Sequence, residues 1–311
     1  MSFPATPSPV PAPSQPTPGS LICVLRVDDV SDKAQVAPAT AHATRGTVAD
    51  FAFGGYSSGL TKHAARQSYA DGFLMMSGGA ASTSVFTQND LTFGLFPPAS
   101  TYHDRPLQAI KHAAQLVDDT GRTTNGRTYT AASGLGPCYT GDGGCLASLK
   151  IGFVQADATF TRSQCVNGPA LARSWKLDLA VHPDDTNNAD GGVLAILPKV
   201  PTLEQAEAAV ILMKEAGVNV VVGCFYSQTS KAFIEAMEKL DWTPLALSIS
   251  ASHTSGWKTD IDLGWWQGEY AIGPTPWTHT TAGKGEVSGM TSSEFFDKYK
   301  SRYGDQEVSC D

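Results

Sequence analysis

From Leu21 onward, short runs of Val, Ile, Leu and Phe alternate with longer segments whose apolar residues recur at helical spacing. That alternation is the pattern of a parallel α/β sheet, and it constrains the fold more than any other feature of the chain. The strand-like runs are "LICVLRV", "VADFAFG", "FLMMSGG", "LKIGFVQA", "LDLAVH", "VNVVVGC", "PLALSIS" and "YAIGP". Helical periodicity is clearest in "LTKHAARQSYA", "RPLQAIKHAAQLV", "LEQAEAAVILMKEAG", "SKAFIEAMEKL" and "SSEFFDKYKSRY".

Two stretches stand outside the alternation. Residues 1–20 are rich in Pro, Ser, Ala and Thr, a composition that favours extended conformations and buries no core; they read as a linker or tail. Residues 118–148 are Gly-, Thr- and Ser-rich and mark an insertion or junction between two α/β halves. At 311 residues, 41% hydrophobic and 17% charged, the remainder suits one or two globular domains. A net charge of -8 argues against a nucleic-acid partner, which needs a clustered basic surface. No apolar run reaches the roughly 20 residues of a membrane span, and no basic, then apolar, leader is visible at the N-terminus.

The six cysteines contain no C-x-x-C pair, and only Cys138 and Cys145, bracketing "YTGDGG", read as partners. They form either a small disulfide, if the protein is exported, or two free thiols. No histidine spacing fits a metal site, and no glycine pattern fits a phosphate loop. "HPDD", His182 to Asp185, reads as an exposed acidic turn, and Trp265 and Trp266 as surface packing. No cofactor is expected.

Residues 55–59, "GYSSG", fit the G-x-S-x-G pattern of a hydrolase nucleophile elbow centred on Ser57. Only one good strand precedes it, and no oxyanion loop does; Asp262 and His279 are the available later partners. The other reading starts from the unpaired N–H groups at a strand-to-helix turn, which attract anions, with Ser57, Ser58 and Thr61 capping the helix, contacting a carboxylate, or both. A second such turn, Ser77 to Ser82, follows the next strand. Two of them on neighbouring parallel strands converge at the carboxyl edge of a sheet, where α/β folds bind ligands.

The blocks "GGYSSGLT", "MMSGGAASTSVF", "TFGLFPPASTYHD", "LKIGFVQADATFTRSQC", "VNVVVGCFYSQTSKAFIEAMEKLDWTPLAL" and "YAIGPTPW" resemble, in order and spacing from about Ile22 to Tyr303, the receptor family ligand-binding region. This is the type I periplasmic-binding-protein fold of branched-chain amino-acid-binding proteins and receptor extracellular domains. The resemblance implies an α/β protein of two Rossmann-like lobes joined by a hinge, with a small-molecule ligand in the cleft. The first lobe would take residues 21–117 and about 280–311, and the second 149–279. Pro38 and the small residues of "AQVAPATAHATRG" are expected to break the helix after the first strand, and the chain stops where the resemblance leads to a further helix and crossing; both suggest a truncated or divergent member.

Carried over onto matching positions, the resemblance gives Ser57, Ser58, Ala80, Ala81 and Ser82 as holders of a ligand carboxylate, and Phe160 with Phe225 or Tyr226 as aromatic closing positions. It departs after "PLALSIS", where amino-acid-binding members carry an acid and this chain has Ser248, Ser250 and Ser252; Asp157 or Asp260 would have to substitute. The expected function is non-enzymatic binding or sensing of an amino-acid-like or other small anionic ligand. It would act outside the cell or at its surface, with a membrane receptor or transporter in a longer gene product. A serine hydrolase using Ser57 and a non-binding interaction module are the alternatives.

Overall fold

The computed structural model describes residues 26–45, 50–120, 144–182, 191–250, 271–274, 282–284 and 288–304. Two parallel sheets organise them. The first has three short strands, β1 (Ala52–Gly54), β2 (Met75–Ser77) and β3 (Thr92–Gly94), in the order β1-β2-β3, with Ala52, Met75 and Thr92 in register. Helices α1 (Lys33–Arg45), α2 (Ser58–Ala70) and α3 (Thr83–Phe86) accompany them. Successive strand residues point to opposite faces. Met75 therefore packs inward with Val36, Ala64, Ala65 and Val85. On the opposite face Phe53, Met76 and Phe93 stand side by side, with Phe53 and Phe93 66% and 52% exposed.

Pro38 does not break α1, contrary to the sequence expectation; it lies inside a 13-residue helix. The lost N–H is outweighed by tertiary contacts, because Val36 is buried in the core and Thr44 donates to Asp71 Oδ2 at 2.6 Å, tying α1 to the end of α2. Arg45 pairs with the same carboxylate.

The second unit comprises α4 (Asp104–Thr120), α5 (Gly144–Ala147), β4 (Lys150–Ala156), α6 (Thr159–Gln164), α7 (Gly168–Ser174), β5 (Asp178–Ala180), β6 (Ala195–Leu197), α8 (Leu203–Glu215), β7 (Val220–Cys224), α9 (Ser227–Lys239) and β8 (Ala246–Ile249). A surface helix, α10 (Ser292–Tyr303), follows and starts with a capping box between Thr291 and Glu294. Strand β4 is central. β5 pairs with its first half and β6 with its second half along one edge, and β7 covers the other, followed by β8. A bridge from Ser248 to Ile272 continues the sheet.

Both faces of this sheet are covered, as an all-parallel sheet requires. Val154, Val221, Leu247 and Ile249 pack under α8 and α9 against Met213, Phe233 and Met237. Ile151, Phe153, Val220 and Val222 face the other way, against Leu107, Ile110 and Ala114 of α4 and Ala172 of α7. Helix α4 thus belongs to the second sheet's core, although the boundary expected at residue 117 assigned it to the first lobe. Its apolar spacing was readable, but which sheet it covers is decided by where the chain crosses over. Strands β3 and β6, three residues each, were not among the sequence-derived runs. Most of "LICVLRV" lies outside the described residues.

Candidate ligand cleft between the lobes

The two glycine-rich turns meet as their strand order requires. Ser57 is the N-cap of α2: its Oγ accepts from Leu60 N at 3.3 Å, while its φ of 90° places a serine in backbone territory that favours glycine. Ser58 is buried, and its Oγ accepts from Ala81 N at 3.2 Å and Ser82 N at 3.0 Å. Ser77 Oγ accepts from Ala80 N at 3.1 Å. The donors expected to hold a ligand carboxylate are therefore closed on serine hydroxyls of the protein. Gly79 backs Tyr56 so closely that a Cβ there would come within 2.9 Å of the Tyr56 Cα.

Beside these turns a cleft of about 600 Å³ opens between the lobes. Tyr56, Ser57, Ser58 and Ala81 line it from the first lobe, and Phe160, Phe225, Tyr226 and Ser250 from the second. Phe96, Tyr102 and Arg105, from the segment joining the two, complete the wall. Phe160 lies with its ring centroid 5.5 Å from Tyr226 and 5.9 Å from Tyr102. Burial, then the neighbouring Tyr56, pushes the Tyr102 phenol up to about 12, and the same causes raise Tyr226, so both hydroxyls stay protonated donors at neutral pH. Among the described residues the lining carries one charged side chain, Arg105, whose Nη1 donates to Gln108 Oε1 at 2.9 Å. None of the described lining residues is acidic.

Polar contacts brace the cleft from behind, and one of them joins the lobes. Ser82 Oγ and Ser163 Oγ, both buried, are 2.5 Å apart. Ser250 Oγ accepts from Phe225 N at 3.2 Å and donates to Gln164 Oε1 at 2.8 Å, fixing the cleft floor. His103 is fully buried with Nδ1 2.9 Å from Ser248 Oγ, and its Nε2 has no hydrogen-bond partner among the described residues. Desolvation pulls its pKa down to about 3.

Of the residues expected at the site, Ser57, Ser58, Ala81, Phe160, Phe225 and Tyr226 line the cleft together. Ala80 and Ser82 are fully buried and are not among the lining residues; Ser82 meets Ser163 instead. Asp157 pairs with Arg162 away from the lining, and Asp260, Asp262 and His279 lie outside the described residues. Tyr56, Phe96, Tyr102 and Arg105 went unread, although Tyr56 sits inside the "GYSSG" motif itself. Cys138 lies outside the described residues, while Cys145 is disulfide-bonded. The bridge that sequence reading missed is Cys165–Cys224. Among the described residues no cluster suited to a metal ion occurs, and no helix is long and apolar enough to cross a membrane.

Two α/β lobes with parallel sheets and a cleft between them are the arrangement that the type I periplasmic-binding-protein fold implies. Neither a protein-family model nor a curated protein matches the chain. Solved structures do. An extracellular ligand-binding receptor from Rhodopseudomonas palustris HaA2 aligns at a TM-score of 0.59 with 8% identity, covering 91% of this chain and 66% of its own. A leucine-, isoleucine-, valine-, threonine- and alanine-binding protein from Brucella ovis, in its closed conformation, aligns at 0.58 with 15% identity, covering 88% and 58%. An ABC transporter substrate-binding protein from Desulfitobacterium hafniense aligns at 0.55 with 11% identity, covering 90% and 65%. The chain thus spans less than two thirds of the length of these proteins. They are binding proteins, not enzymes, and at such identities the likeness is one of fold.

Proposed function

We propose that the chain is a solute-binding or sensing domain whose cleft takes a small organic anion with a flat apolar body. It would work outside the cytoplasm with a transporter or receptor partner. The observation that supports this is the lining: six aromatic rings, one guanidinium and no carboxylate among the described residues. Rings offer apolar area and stacking faces, and a guanidinium offers a two-pronged partner for a carboxylate. An α-amino acid also brings an ammonium group, which is costly to desolvate without an acidic or carbonyl partner. The Brucella ovis protein is named for aliphatic amino acids; the described part of this cleft supplies no acid to meet one.

The test is calorimetry with benzoate, phenylacetate, L-leucine and L-phenylalanine, with thermal unfolding alongside. The two aromatic acids should bind and raise the melting temperature, since a ligand of the native state stabilises it. Arg105→Gln should weaken them about ten- to a hundredfold, the value of one charge-assisted hydrogen bond. Tight binding of leucine with no response to benzoate would overturn the proposed ligand class. Ester hydrolysis abolished by Ser57→Ala would overturn binding as the function.

A further inference from the structure

Cys165 closes α6 and Cys224 ends β7, and a disulfide joins them across 59 residues. Each of these elements presents part of the aromatic wall. Phe160 is in the first turn of α6, and Phe225 and Tyr226 follow Cys224 directly. Helix α6 also carries both polar ties described above, Ser163 to the first lobe and Gln164 to the cleft floor. Yet it is six residues long and has no side-chain cap at its N-terminus, and a helix that short is unstable unless tertiary contacts hold it.

We propose that the Cys165–Cys224 disulfide positions the aromatic wall of the cleft, so that ligand capture is tighter in an oxidising environment. This rests on the cleft being the ligand site. Without the bridge, α6 keeps the hydrogen bond from Thr161 Oγ1 to Ala156 O at 2.6 Å, the two serine contacts, the Arg162–Asp157 pair and the ring contacts of Phe160, none of them covalent. Movement of α6 then separates Phe160 from Tyr226 and opens the Ser82–Ser163 contact together. Both cysteines are buried, at 3% and 0% exposure, so an external thiol reaches the bond only after α6 opens. A dithiol reductant completes the exchange: its two thiols become a disulfide, the Cys165–Cys224 bond breaks, and each cysteine sulfur leaves with a proton as a thiol. Binding and redox state are then linked at one short helix.

Hydrogen exchange on the full chain distinguishes this from a general staple. Three samples are compared: oxidised protein, protein reduced with dithiothreitol under native conditions, and the Cys165→Ala/Cys224→Ala variant, which leaves the bridge at Cys145 untouched. The expected result is exchange on the order of tenfold faster at residues 159–165 and 225–227, with β4 and α8 unchanged, the mark of local opening. Uniform acceleration across the second lobe, or none, overturns the proposal. Cys145→Ala protein, compared oxidised and reduced, isolates the Cys165–Cys224 bridge and decides the matter if the double variant does not fold. Benzoate affinity, measured in parallel, should fall about tenfold on reduction, a shift of about 1.4 kcal/mol; equal affinity in both states overturns the link to binding. Failure of benzoate to bind the oxidised protein counts against the proposed ligand class alone, because the exchange map needs no ligand.

Discussion

The two sheets obey the same parallel rule, but one is enclosed and the other is half bare. In the second lobe every residue of β7 is buried, and helices cover both faces. In the first, one face packs against α2 while Phe53 and Phe93 stand exposed on the other. Stability and site are therefore divided unequally. The enclosed lobe supplies the cleft floor and three of the six aromatic rings, whereas the half-covered lobe supplies two turns held together by serine hydroxyls.

The largest expected difference lies between phenylalanines in the two sheets. Phe153→Ala, in the enclosed core, should cost about 3–5 kcal/mol, while Phe93→Ala should stay within about 0.5 kcal/mol. Urea titration of both variants measures it, and similar losses would mean that the bare face is covered in solution.

Acid should strike the enclosed lobe first. His103 titrates near 3 when folded against 6.5 unfolded, so below pH 6.5 the unfolded chain binds the extra proton. Its contribution is fully present above 6.5 and lost as pH falls towards 3, amounting to about 2 kcal/mol at pH 5 relative to pH 7. Denaturant midpoints against pH should show this slope in the wild type and a flatter one in His103→Gln. The carboxyl of Asp71 is held down at about 2 by hydrogen bonds from Thr44 and Gln67, so the first lobe's α1–α2 tie weakens only below about pH 4.

Helix caps give the smallest contrast. Thr202→Ala removes the hydroxyl half of the capping box on α8, the bond accepted from Gln205 N, and should cost about 1 kcal/mol. Ser57→Gly loses one cap bond, but glycine accepts the φ of 90° without strain, so stability should change by no more than a few tenths of a kcal/mol. A loss of about 1 kcal/mol in the thermal or urea midpoint of Ser57→Gly would show that the cap outweighs the strained backbone.

What the sequence revealed followed the same division. Strands β4, β7 and β8 were readable because burial on both faces makes them near-continuous apolar runs, and α8 and α9 because their periodicity is long. Three-residue β3 and β6 carry too few positions to show a period. Helix α1 was misjudged because a local proline signal was outweighed by its packing on α2. At the site, Ser57 and Ser58 stood out through their motif. Arg105 did not, since nothing local marks one arginine on a helix as facing a cleft. The pairing of Cys165 with Cys224 depends on β4 and β7 lying side by side, which is a property of the assembled sheet.

The central place of β4 also orders the chain's assembly in time. It must find β5 and β6 on one edge and β7 on the other, and β7 ends at Cys224, 68 residues beyond Ala156. At about 5–20 residues per second, a ribosome leaves Ile151 and Phe153 without their final neighbour for roughly 3–14 seconds. During that interval β4 is an apolar strand with an open edge, the form most prone to pair with another chain. Refolding yield should therefore fall as protein concentration rises.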